Sequence, residues 1–147
     1  MTTRCYIGVR DPEKPGTVRL RYVHSDGDPA WIIWAIRQMW ATTARRNTGR
    51  LIALLLEYDW YDLNADNTIA GKAIPDGQPV PGVGRRLTFI NINTGTVPSP
   101  GPVALVLALE ATGDLDAQWI YLLDPTNDTI AIHTTGGTLV GNEPLAS

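Results

Sequence analysis

"RYVHSDGDPAWIIWAIRQMW", residues 21–40, decides how this chain is read. Its opening completes an alternating run, residues 17–24. Val18, Leu20, Tyr22 and His24 fall on one face, and Arg19, Arg21 and Val23 on the other, as in a strand. Asp26-Gly27 is a turn signal. Asp28 before Pro29 marks a helix start, because a carboxylate can accept the first free amides and proline pre-sets φ at the first helical position. The spacing predicts a helix over about 29–46, with Ile32, Ile36, Met39, Trp40 and Thr43 in one stripe. Trp31 and Trp34 fall partly off that stripe. Arg45 and Arg46 then sit in the last turn, where cations suit the helix C-terminus. The stretch therefore reads as a strand, a tight corner and a helix.

Working outward, "RCYIGVR" (4–10) is a second alternating strand. It is joined to the first through "DPEKPG" (11–16), too short a link for anything but an antiparallel hairpin. "GRLIALLLEYDW" (49–60) reads as a short buried helix, with Asn47 and Thr48 ending the first helix and capping this one. "YDLNADN" then breaks it. Two long Pro/Gly-rich loops, 71–86 and 94–102, flank a strand at about 86–93. "PVALVLALEAT" (102–112) fits a strand or a buried helix, and the strand reading is preferred. "QWIYLLD", "PTND" and "TIAIHTT" (118–135) form the clearest hairpin. The tail from Gly136 is expected to be loosely ordered. The fold class that follows is α+β. One domain spans 1–147, and an antiparallel sheet of about five strands carries a helix pair inserted after the N-terminal hairpin.

Charged residues are 18% of the chain, below the roughly 25% of an average domain. A surface so poor in charge leaves room for a subunit interface, and a homo-oligomer is expected. The single cysteine, Cys5, rules out an intrachain disulfide, and a cytoplasmic setting is the default. The start lacks an apolar stretch of signal-peptide length, and "LIALLL" (51–56) is too short to span a bilayer. Neither secretion nor membrane insertion is expected. Net charge is −3. Residues 1–50 hold nine Lys/Arg against four Asp/Glu, while 51–147 hold three against eleven. Such asymmetry suits an anion-binding face or self-complementary association. Duplex nucleic acid is not an expected partner, since phosphate tracking usually needs a basic domain.

His24 and Asp26 are the acid–base candidates. Were the strand to continue, both would project from one face, and a carboxylate would orient the imidazole. Asp-Gly is equally a common turn, and that structural reading is preferred. No serine or cysteine nucleophile sits in a recognisable motif. Two histidines and one cysteine show no metal-ligand spacing, so neither a metal nor a cofactor is expected. "PGVGRRL" (81–87) offers glycine amides and the Arg85 and Arg86 guanidinium groups to an anion. Trp31 and Trp34 are the rings most free to stack on a ligand. The expected binding set is thus His24, Asp26, Trp31, Trp34, Arg85 and Arg86, around an anionic, nucleotide-type small molecule.

Tyr22, His24, Asp26, Gly27 and Pro29 resemble a group of small phage and actinobacterial proteins in which a strand ends in an H-W-D-G-Y-P-like turn before a helix. "LLLEYDW" (54–60) and "WIYLLDPTNDTIAIH" (119–133) extend the likeness. Ser25 stands where that group has an aromatic, and Asp28 where it has tyrosine. The resemblance implies phage company, hence the cytoplasm of a host, and no particular activity. Three expectations result. The first is a non-catalytic sponge for a nucleotide-type immune signal, such as a cyclic nucleotide or an ADP-ribose derivative. The second is a phosphodiester-type hydrolase using His24 and Asp26. The third is a protein–protein interaction module.

Overall fold

A computed structural model describes residues 3–65, 77–87 and 104–146. The two alternating N-terminal runs form β1 (Cys5–Arg10) and β2 (Thr17–Val23), paired antiparallel from Cys5 opposite Val23 to Arg10 opposite Val18. Then come α1 (Pro29–Ala41), α2 (Thr48–Leu55), β3 (Trp60–Leu63), β4 (Gly77–Val80), β5 (Gly84–Leu87) and β6 (Leu105–Ala108). A 3-10 segment (Leu109–Asp114) leads to β7 (Trp119–Asp124), β8 (Thr129–Thr134) and β9 (Leu139–Pro144). The nine strands among the described residues belong to one sheet, ordered β4-β5-β3-β2-β1-β7-β8-β9, with β6 alongside β2.

The chain is α+β with its helix pair after the first hairpin, but the expected five-stranded antiparallel sheet is corrected to a nine-stranded mixed one. β1 pairs parallel with β7, and β2 parallel with β3. Alternation within a strand reports which faces are buried and says nothing of its neighbours. The hairpin leaves an outer edge open on each strand, and distant segments fill both.

Several boundaries also move. Helix α1 stops at Ala41, five residues early, where the next amides leave the i→i−4 pattern: Ala44 N donates to Met39 O (2.9 Å) and Arg46 N to Trp40 O (2.6 Å). Arg45 and Arg46 lie beyond it with left-handed φ of 51° and 61°. Asn47 caps α2 by accepting from Arg50 N at 3.0 Å. Of the stretch at 102–112, residues 105–108 form β6 and 109–112 belong to the 3-10 segment, so each of its two readings holds for part of the described residues. The expected loop at 71–86 contains a β4–β5 hairpin. Its first residues, the loop at 94–102 and most of the strand at 86–93 lie outside the described residues. The tail supplies β9, in register with β8 from Thr129 opposite Pro144.

Both sheet faces are apolar near the centre. The helix side holds Cys5, Ile7, Val23, Trp60, Tyr121, Leu123 and Ile130 against Ile32, Ile36, Met39, Leu51 and Leu55. The other side gathers Val18, Leu20, Ile120 and Leu122 under Leu109 of the 3-10 segment. Gly8 is required by close approach, since a Cβ there would lie 1.7 Å from the Arg19 carbonyl oxygen. Burial drives the Cys5 thiol pKa far above its ordinary value, so this cysteine packs as a small neutral group.

Arg21 breaks the apolar pattern. It faces the helix side opposite Ile7 and is only 3% exposed. Its Nε donates to Leu56 O (2.7 Å), one terminal nitrogen to Glu57 O (3.2 Å), and the other lies 3.8 Å from Asp59. A cation thus closes the C-terminal end of α2, where carbonyls lack helical partners. Arg21→Met is expected to destabilise by about 3 kcal/mol, because those carbonyls and Asp59 lose a charged donor in a poorly solvated place. Urea unfolding with an unchanged slope would measure it.

His133, on β8 opposite Ile120, is buried on the other face, and its Nδ1 lacks a hydrogen-bond partner. Burial first, and Arg10 second, hold its pKa below the ordinary 6.5. The unfolded chain therefore binds this proton more readily than the folded one. Stability from a neutral His133 is present above pH 6.5 and is lost as pH falls through the lower folded value. The urea midpoint is expected to drop from pH 7 toward about pH 5, and His133→Gln to flatten that dependence.

Candidate functional site

The corner after β2 is held from three directions. Gly27 N donates to Thr3 O (2.9 Å), and the buried Tyr121 hydroxyl donates to Gly27 O (2.7 Å). Asp28 accepts from Trp31 N at 3.3 Å, with Pro29 opening the helix. Asp26 is exposed with a left-handed φ of 57°, so the strand does not continue to it. Pairing with β3 persists a little further than β2 itself, through His24 N to Trp60 O (2.9 Å) and Ser25 N to Tyr61 O (2.8 Å).

That parallel pairing builds a row of rings on the face away from the helices. Ring centroids are 5.4 Å apart for Tyr6–Tyr22, 5.9 Å for Tyr22–His24 and 5.6 Å for His24–Tyr61. All four residues are partly exposed. The Tyr22 hydroxyl lies 2.9 Å from His24 Nδ1. Burial, countered by Arg4, raises the Tyr22 phenol pKa, and burial with Asp59 and Asp116 raises that of Tyr6. Both phenols stay protonated at neutral pH. When the Tyr22 phenol donates to Nδ1, the neutral imidazole carries its proton on Nε2. Asp26 makes no hydrogen bond to His24; tyrosine, and no carboxylate, holds the ring.

Charged groups flank the row. Arg4 pairs with Asp116. Beyond Tyr61, Asp62 stands opposite Arg85 in the β3–β5 register. Asp62 Oδ1 is buried without a hydrogen-bond partner. Burial raises the Asp62 pKa, Arg85 opposes that shift, and the like charge of Asp26 adds to it.

The six expected binding residues thus divide. His24, Asp26 and Arg85 gather around Tyr61 and Asp62. Trp31 is on α1, its indole N–H donating to Leu63 O (2.9 Å), with Trp34 5.1 Å away and 41% exposed. Arg86 lies over the Tyr58 ring at 5.1 Å, and Tyr58 packs on the helix-side core. Period-two alternation sends neighbouring arginines to opposite sides of a strand. The glycine turn docks by its backbone: Thr43 Oγ1 donates to Gly82 O (2.7 Å), and Val83 N is taken by Val80 O (3.1 Å). Tyr6, Tyr22, Tyr61 and Asp62 were missed by the sequence reading. The alternation that put Tyr22 beside His24 and Tyr6 opposite Cys5 was the available sign of the row.

Two hollows lie elsewhere. One of about 400 Å³ borders Trp34, between α1 and Ile132 and Glu143. A larger one, about 650 Å³, opens at the far end of the sheet, between the β1–β2 turn, α2 and the β7–β8 turn. Neither contains His24. Among the described residues no group of three or more His, Cys, Asp or Glu is placed to hold a metal ion, and no helix is long and apolar enough to cross a membrane.

No protein-family model matches the chain, and neither a curated protein nor a solved structure does. Any functional reading therefore rests on the residues themselves.

A carboxyl whose folded pKa is raised favours folding below its unfolded pKa, and that contribution is lost as pH rises through the folded value. At neutral pH the ionised Asp62 is a burden. Asp62→Asn is expected to equal or exceed the wild-type melting temperature at pH 7. The gap should shrink toward about pH 4, where wild-type Asp62 takes up its proton. Melting curves across that range would check the sign.

Proposed function

We propose that this chain is a non-catalytic binder of a nucleotide-type small molecule, held on the row Tyr6, Tyr22, His24 and Tyr61. The observation that carries the reading is the row itself: four neighbouring rings, partly exposed, on one sheet face. Flat heterocycles stack on such rings whatever their sequence of polar edges. Asp62 and Asp26 supply carboxylate acceptors for ribose hydroxyls or an exocyclic amine. Arg85 and Arg4 supply guanidinium groups for phosphate. The pairing of Arg4 with Asp116, and the carboxylate of Asp62 opposite Arg85, suit a ligand carrying few phosphates over a long polyanion.

Sequestration fits better than turnover. A general base needs a partner that tunes it and a group to act upon. His24 leans on a phenol, and Asp26 makes no hydrogen bond to it. A sponge for a nucleotide signal is the role such a binder would fill, and the likeness of the corner to phage proteins agrees with it.

Calorimetry with AMP, cyclic AMP and ADP-ribose is the test. At least one should bind saturably and be recovered intact after denaturation. Tyr61→Ala should weaken it by about ten-fold or more, the range of one lost stacking contact, while Trp34→Ala leaves it unchanged. Saturable binding of none of the three would refute the nucleotide reading. Recovery of a cleaved product, lost in His24→Ala, would replace the binder with a hydrolase.

A further inference from the structure

A cavity of about 650 Å³ opens at the far end of the sheet, away from the ring platform. Val9, Ile52 and Leu123 provide apolar surface from β1, α2 and β7, and none of them is needed by the platform. Apolar cavities of this size with a few polar groups are the usual form of small-molecule sites.

The charges on the rim are unequal in availability. Arg10 donates to Pro15 O (2.9 Å). Asp11 accepts from Glu13 N (2.9 Å). Asp124 accepts from Thr126 N (2.8 Å) and from the Asn127 side chain (2.9 Å), so its carboxylate is oriented by its own turn. Asn127 and these amides also keep the Asp124 pKa below its ordinary value. Arg19 differs. It stands exposed on β2 opposite Val9, lines the cavity, and takes part in none of the ion pairs among the described residues. Glu13 shares the rim, and it sits in the exposed β1–β2 turn, where solvent screens it. Of the two rim guanidinium groups, Arg10 is hydrogen-bonded within its own turn and Arg19 stands opposite Val9.

We propose that this cavity binds an amphipathic carboxylate of the fatty-acid class. The apolar lining of Val9, Ile52 and Leu123 takes its aliphatic chain, and the Arg19 guanidinium pairs with its head.

Decanoate at sub-micellar concentration is the probe, with decanol as the uncharged control, on the whole chain. Methyl NMR should show saturable shifts at Val9, Ile52 and Leu123 and none at Leu63, at the opposite end of the sheet. Arg19→Ala should weaken decanoate about ten-fold and leave decanol unchanged, while Ile52→Trp should abolish both. Tyr61→Ala should affect neither, which separates this site from the ring platform. Absence of saturable shifts in the wild-type chain would overturn the site. Equal binding of decanoate by wild type and Arg19→Ala would overturn the head assignment. If Ile52→Trp fails to fold, the methyl shifts and the Arg19→Ala comparison still decide.

Discussion

A single guanidinium, that of Arg21, sets where the middle of the chain can go. It is buried among apolar neighbours and must be satisfied there, since an unpaired charge in such a place is heavily penalised. Leu56 O, Glu57 O and Asp59 answer it. Satisfying Arg21 brings the end of α2 down onto β2. Asp59 then reaches the open edge, where its carboxylate accepts from Tyr22 N at 3.0 Å. The next residue, Trp60, enters the sheet opposite Val23. Tyr61 lands beside His24, and Asp62 beside Arg85. The ring platform is the downstream product of one buried cation.

The legible part of the fold was its local part. Alternation identified both long hairpins and their faces, and Asp28-Pro29 fixed the start of α1. Everything that depended on distant pairing was hidden. Nothing in Val9 or Ile7 announces β7 as a neighbour, and nothing in "YDLN" announces a strand beside β2. Arg21 was equally opaque: on an alternating strand an arginine reads as solvent-facing, and only the carbonyls of α2 explain its burial. The end of α1 was misplaced because Arg45 and Arg46 fit the dipole of a longer helix, whereas Ala44 N and Arg46 N leave the i→i−4 pattern and the backbone turns left-handed.

The candidate site was half legible for the same reason. His24 and Asp26 were named from the corner, and Arg85 from its loop. The tryptophans drew attention by size, yet Trp31 is anchored through Leu63 O and belongs to the packing of α1 on β3. Tyrosines made the platform instead. They are smaller, more easily left half-exposed, and spread over three separate segments. Only the sheet brings Tyr6, Tyr22 and Tyr61 into line.

The parallel neighbour of β1 is β7, whose first residue comes more than a hundred positions after Cys5. A ribosome releases these segments far apart in time. The strand β1 must therefore wait, one side unfilled, until β7 has emerged. Pairings of such long sequence separation are slow to form and leave a sticky edge meanwhile. Closure of this sheet thus waits on β7, and nascent chains that have not yet exposed it are natural clients for a chaperone.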